Sequence, residues 1–330
     1  MADYHIVETD DIVYTKSPLK ANPYGIIKVN KGIPGIVSTL YAVYHPLNTV
    51  APRFVDLYFA NDLRLNKFLK PLVNIGAKHD MKVNNSFVLT GTVVFPSIGE
   101  QQKLVDFFAK LDRCIEAQRK IVDALKKYKR GLLCQLISGK CSSLQKHNWN
   151  IVKLGDVFME RNERATGGEE LLAVTINAGV QRRSEIDLKD NSSDDKSNYK
   201  RVMRGDIAYN TMRMWQGASG ASNYDGIVSP AYTVITPIHP HQINIRFWAQ
   251  YFKYEPLVKT FQKFSQGLTS DTWNLKFPQF AEIKVYYPPY DIQNEVANFL
   301  MSFDERIRSE EETLRQLNRL KLSLYAQLFI

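Results

Sequence analysis

The chain has 330 residues, 44% hydrophobic and 23% charged, which excludes a disordered polar tail and provides for more than one core. A formal net charge of +9 points to a polyanionic partner. Cys114, Cys134 and Cys141 lack a Cys-x-x-Cys spacing, which argues against a disulfide framework or zinc knuckle. The opening residues have neither a basic nor an apolar leader segment and no apolar run reaches membrane-spanning length, so the expected compartment is the cytoplasm, with no membrane partner.

In chain order, β-branched and aromatic runs at 26–29, 36–43, 88–95, 202–209, 227–235 and 282–287, bounded by Gly, Pro and Asn, predict strands. Bulky apolar residues at helical spacing predict helices over 53–61, 64–72, 245–252 and 255–264. The fold class expected is α+β, with strands and helices interleaved irregularly. A long helix follows the first globular part. Leu104, Phe108, Leu111, Ile115, Gln118, Val122, Leu125, Lys129, Leu132 and Leu136 recur in steps of four and three, the seam of a coiled coil. Ser97 with Glu100 forms the sequence of a capping box, and Gly139 is the expected stop. At 1.5 Å per residue this helix would run roughly 55 to 60 Å, more than one turn of DNA.

The pattern returns 192 residues later as Val296, Leu300, Phe303, Ile307, Glu310, Leu314, Leu317, Lys321, Leu324 and Leu328, with both polar interruptions kept. Two helices with one seam predict an antiparallel pair if the repeats are related by a two-fold axis. The globular parts repeat as well. Tyr4 to Tyr14 lines up with Tyr199 to Tyr209, Gly35-Ile36-Val37-Ser38 with Gly226-Ile227-Val228-Ser229, Tyr41 with Tyr232, and Arg53-Phe54 with Arg246-Phe247. The expected domains are 1–95, 96–141 (helix), 142–287 and 288–330 (helix). The second globular part runs about fifty residues before Tyr199 while the first has three before Tyr4. The expectation is that the first lacks its front half, through truncation or because a second polypeptide supplies it. The helix over 101–140 holds ten Lys or Arg against four Asp or Glu, whereas 292–330 holds five against six, so the first helix carries most of the excess charge.

The Pro96-Ser97 turn, then Glu100-Gln101-Gln102, then a helix closing on Leu-Lys-Lys-Tyr-Lys-Arg-Gly-Leu-Leu-Cys-Gln-Leu-Ile-Ser-Gly-Lys over 125–140, resembles the conserved region of the DNA-specificity subunits of type I restriction-modification systems. Trp149 to Phe158 looks like the start of a target-recognition domain of that family. The resemblance covers nearly the whole chain. It implies two target-recognition domains, each reading half of a split sequence in double-stranded DNA, held apart by two spacer helices. The partners implied are two methyltransferase subunits and restriction subunits; no cofactor and no catalysis are implied for the chain itself. The missing front of the first domain is a departure from the family pattern.

Reading would rest on loop side chains: Gln181, Arg182 and Arg183; Asn210, Thr211, Arg213, Trp215 and Gln216; Gln266 and Thr269. In the first part the corresponding residues are Lys16, Lys20, Asn22, Lys78, His79 and Lys82. Arg takes guanine bidentately, Asn or Gln takes adenine, and Lys or Arg takes phosphates. Taken singly, each is also an ordinary exposed loop residue, and Trp215 an ordinary core aromatic. No catalytic set accompanies them. Tyr287-Pro288-Pro289-Tyr290 imitates the amine-gripping loop of amino-methyltransferases without its leading polar residue and reads as a strand-to-helix junction. No phosphate-binding Gly-rich loop occurs, and the six histidines are scattered. Two other functions are compatible with the chain: an assembly scaffold built on the coiled coil, and a methyltransferase in its own right.

Overall fold

The computed structural model describes residues 4–75, 81–138, 149–176, 179–186, 195–269 and 272–329. They form two compact units, Met1–Lys120 with Glu311–Ile330 (unit 1) and Ile121–Glu310 (unit 2). Both are mixed α and β. Gly139, Cys141, Lys78 and His79 lie outside the described residues.

Unit 1 begins with β1 (His5–Val7), β2 (Ile12–Thr15), β3 (Ile26–Val29), β4 (Gly35–Val37) and β5 (Tyr41–Tyr44). β1 pairs antiparallel with β4, and a second sheet has the order β3-β2-β5, with Ile12 opposite both Val29 and Tyr44. The single run expected over 36–43 is therefore two strands, broken by a turn at 39–40. α1 (Pro52–Tyr58) starts on a proline, whose fixed φ suits the first turn. α2 (Asp62–Leu69) is capped by Asn61, whose side chain accepts from the amides of Leu63 and Arg64. Tyr14, Ile27, Val55, Phe59, Leu65 and Leu69 make the core between sheet and helices. A short pair, β6 (Asn74–Ile75) and β7 (Met81–Lys82), and α3 (Asn85–Val88) follow.

The strand expected over 88–95 is absent: Val88 ends α3 and 92–97 are irregular. The reason is visible in unit 2. There the equivalent stretch is a strand only because another strand pairs with it.

Unit 2 contains β8 (Asn150–Lys153), α5 (Leu154–Val157), β9 (Phe158–Glu160), the hairpin β10 (Leu172–Thr175) and β11 (Gly179–Arg182), β12 (Lys200–Val202), β13 (Ile207–Asn210), β14 (Ser219–Ala221), β15 (Gly226–Val228) and β16 (Tyr232–Pro237). α6 (Ile245–Tyr251), α7 (Glu255–Phe264), α8 (Phe277–Ala281) and β17 (Lys284–Tyr287) complete the globular part. β12 pairs with β15 as β1 does with β4, and β14-β13-β16 repeats the order β3-β2-β5 with β9 added outside β16. β17 pairs with β8. The core is aromatic: Phe158, Trp248, Phe252, Phe261 and Phe280 are fully buried and meet mostly edge to face.

Two long helices, α4 (Ile98–Ser138) and α9 (Tyr290–Leu328), contribute to both units. In unit 1, Phe108 stacks on Tyr325 with ring centroids 4.5 Å apart and Asp112 meets Lys321, so the helices run antiparallel. In unit 2, Tyr128 meets Phe303, Lys129 Nζ lies 2.6 Å from Asp304 Oδ1, and Leu133 and Ile137 share a core with Val296, Ala297 and Leu300, again antiparallel. The two ion pairs are the same pair under the 192-residue offset. Each seam lysine meets the aspartate that the repeat places on the opposite helix.

Of the seam residues, Phe108, Ile115, Val122, Val296, Leu300 and Ile307 are buried, and Leu104, Leu111, Leu125, Leu132, Leu136, Phe303, Leu314, Leu317 and Leu324 are half-buried. Near the end of α4 the buried stripe drifts to Leu133 and Ile137, as a 3.6-residue turn must against a strict 3.5-residue repeat. Leu328 is a correction: it is exposed, and Phe329 is buried instead against Phe54 and Phe108, which carries the contact one residue further.

Each helix is fastened to its globular part by a buried glutamine. Gln101 Oε1 accepts from the Ala51 amide at 2.9 Å, and its Nε2 donates to the carbonyls of Pro96 and Thr49. Gln293 does the same with the Asn244 amide and the carbonyls of Pro288 and Gln242, and also accepts from Trp248 Nε1. One side chain thus satisfies several backbone groups that burial would otherwise leave unpaired. At the start of α4, Ser97 donates through its amide and hydroxyl to Glu100, which holds that carboxyl below its ordinary range. Tyr287 to Tyr290 joins β17 to α9 as a strand-to-helix junction.

Candidate nucleic-acid interface

Unit 2 brings two of the predicted loops together and sets the β10–β11 hairpin beside them. After β13 the chain turns through Asn210, whose side chain accepts from the Met212 amide, and Thr211, whose hydroxyl donates to Ala231 O. A 3-10 turn over Met214–Gln216 closes on Gly217. Trp215 donates Nε1 to Met212 O and sets its ring edge-on to Trp273, at 5.2 Å between centroids. Trp273 belongs to the loop that follows α7, which folds back on itself through a bridge between Gln266 and Asn274. The Leu275 amide donates to Thr211 O and fixes this loop beside the first.

The β10–β11 hairpin lies against β14 at two glycines, where a Cβ on Gly220 would come within 2.6 Å of Gly179 Cα. Gly179 also has φ of +68°, which disfavours a larger residue. Lys253, at the end of α6, fastens the arrangement: its Nζ donates to Ile176 O at 2.8 Å and to Gly217 O. Burial, with Lys129 nearby, pushes its pKa down to about 8. The lysine is therefore mostly an ammonium at neutral pH, aimed at two carbonyls.

The candidates separate by what they already hold. Arg213, Gln266 and Thr269 are exposed on these loops, and Trp215 and Gln216 are half-exposed. Thr211 and Asn210 brace the loop from inside. Gln181 and Arg182 lie on β11, and Arg183 just beyond it, past the strand end away from the turn. Arg182 Nε is 3.0 Å from Glu170, and its guanidinium stacks over Tyr224. That arginine is fixed within the fold rather than presented freely. Beneath the Thr211–Met212 turn lies a cleft of about 290 Å³ lined by Glu160, Lys200, Thr233, Asn274 and Phe277, with Lys200 paired to Glu160 at 3.0 Å.

In unit 1 the described candidates are Lys16, Lys20, Asn22 and Lys82. Lys20 is exposed and Lys16 reaches Asn85. Asn22 is a correction: it is buried, donates to Asp62 and accepts from Asn66, so its amide bonds are spent inside the fold. Lys82 lies on β7. Sequence reading missed Lys253 and Trp273, for which no local signal exists. It also assigned no bracing role to Gln101 and Gln293, which the 192-residue offset could have paired.

Among the described residues no group of three or more His, Cys, Asp and Glu could hold a metal ion, and no helix is long and apolar enough to cross a membrane. A family model described as the type I restriction modification DNA specificity domain matches residues 146–319. The fold resembles that of a type I restriction-modification S subunit from M. genitalium, with a TM-score of 0.53 at 13% identity over 98% of this chain and 84% of that one. It also resembles a chain solved in work on complex assembly and conformational transition of the type I R-M system, with a TM-score of 0.56 at 15% identity over 100% and 84%.

Proposed function

As the chain belongs to the type I restriction-modification DNA specificity family, we propose that it is the non-catalytic, target-reading subunit of such a complex. The observation that carries this reading is the loop cluster of unit 2. Arg213, Gln266 and Thr269 stand exposed on loops braced by Lys253 and the Trp215–Trp273 contact, which suits direct readout of base edges with neighbouring cations on phosphates. The globular parts over 1–95 and 142–287 are the two reading parts of a split target. The helices over 96–141 and 288–330 set the gap between the half-sites and dock two methyltransferase subunits, which in turn bring the restriction subunits.

The test is to sequence modified bases in host DNA with and without this gene. A two-part motif with a fixed gap, modified only when the gene is present, is the expected result. Modification that ignores sequence while the subunit is present overturns the reading. Affinity for the target should also fall steeply with salt, because the contact displaces counterions from phosphates.

A further inference from the structure

The two units share a strand plan, yet unit 2 carries a cover over it that is missing among the described residues of unit 1. On β16, Ile235, Thr236 and Pro237 lie opposite Glu160, Met159 and Phe158 of β9, the Ile238 amide donates to Val157 O, and the Arg161 amide donates to Val234 O. The equivalents in unit 1 are Tyr44, His45, Pro46 and Leu47. Among the described residues no strand pairs with that edge of β5, and Leu47 is 76% exposed.

A second edge shows the same contrast. In unit 2 the Ile227 amide donates to Glu170 O, Ile227 is 1% exposed, and a Cβ on Gly226 would collide with Glu170 and Leu172. In unit 1 the equivalent Ile36 is 60% exposed, and a Cβ on Gly35 would meet nothing within 4 Å.

The third contrast is one of charge. Asp206 and Asp11 are equivalent, are both buried, and accept alike from the backbone amides of Met203 and Glu8. Asp206 is clasped by Arg161, with Nε at 2.7 Å and Nη2 at 3.1 Å. Among the described residues the side chain that meets Asp11 is His45 at 2.6 Å, itself 71% exposed.

We propose that unit 1 is a docking surface for a strand-forming segment resembling residues 149–183, which adds one strand to the outer edge of β5 and another along β4 and sets an arginine against Asp11. The mode is strand addition to a sheet edge, in which main-chain bonds give affinity while the arginine and apolar contacts give specificity. The same residues of a second copy are already held within its own unit 2, which argues against a second copy as the occupant. The proposal stands on the internal repeat and is independent of DNA reading.

The test titrates a synthetic peptide of residues 149–183 into the full chain and follows amide hydrogen exchange. Saturable slowing at the amides of Ile36 and Leu47 is expected, with affinity reduced by about tenfold or more in Asp11→Asn and in Ile36→Lys. Ile36 is exposed in the free chain, so Ile36→Lys folds normally and keeps the test clean if Asp11→Asn does not fold. No slowing at peptide concentrations on the order of 1 mM, slowing confined to unit 2, or equal binding to Ile36→Lys overturns the proposal.

Discussion

Units 1 and 2 have the same inner sheet order, the same buried glutamine at the foot of a long helix and the same Asp–Lys pair across the helices, but different protection of their sheet edges. In unit 2, residues 149–183 convert a three-stranded sheet into four strands and bury Ile227; among the described residues of unit 1 the matching edges are open and Ile36 is exposed. A strand therefore depends on its partner as much as on its own residues. Residues 92–95 are as β-prone as Lys284–Tyr287, yet only the latter pair with β8 and form a strand.

All four tryptophans, Trp149, Trp215, Trp248 and Trp273, belong to unit 2, so tryptophan fluorescence during urea unfolding reports that unit, and amide exchange can report the other. The largest expected effect is from Arg161→Met, which strands the buried Asp206 carboxylate and should cost unit 2 about 3–5 kcal/mol. His45→Ala removes a partner that is itself exposed and should cost unit 1 about 1 kcal/mol or less. Equal losses would break the comparison. Next come Gln293→Leu and Gln101→Leu. Each leaves buried backbone groups unpaired at about 1–3 kcal/mol apiece, with the greater loss in unit 2 because Gln293 also holds Trp248.

Lys129→Met should destabilise by about 1–2 kcal/mol, since this half-buried lysine also donates to Gln250. Lys321→Met, at a more open pair, should cost about 0.5 kcal/mol. A separate expectation concerns the pH response of Lys253. Its folded pKa lies below the ordinary lysine value, so the unfolded chain binds more protons above pH 8, and the global stability of unit 2 should rise with pH from about 8 to about 10. In Lys253→Met this rise with pH, followed by tryptophan fluorescence, should be absent.

Much of this architecture was legible because repetition made it so. The seam, its polar interruptions and the paired segments at Tyr4 and Tyr199 can be read by laying the chain on itself. The Asp112–Lys321 and Asp304–Lys129 pairs were not foreseen, because a seam walk names the lysines and says nothing of what faces them. The helices α6 and α7 were expected nearly where they stand. The strands β8, β9 and β10 were not anticipated, since their runs are three or four residues long and gain definition only from partners far along the chain. In the candidate interface, the loops at 210–216 and 266–269 were marked by their polar residues. Lys253 was invisible, because a lysine after an aromatic helix looks like any solvated charge until the two carbonyls it holds are seen. Asn22 misled for the opposite reason: a loop asparagine next to proline resembles a reader, and only the positions of Asp62 and Asn66 reveal it as a brace.

The most direct measurement selects bound duplexes from a randomised library, using the assembled complex containing either the natural chain or one with Arg213→Ala and Gln266→Ala together. The natural chain should enrich a defined half-site, and the double substitution should relax preference at particular positions of it while the gap to any second half-site stays the same. No enrichment by the natural chain, or an unchanged half-site with the double substitution, would contradict base reading by the loops of unit 2.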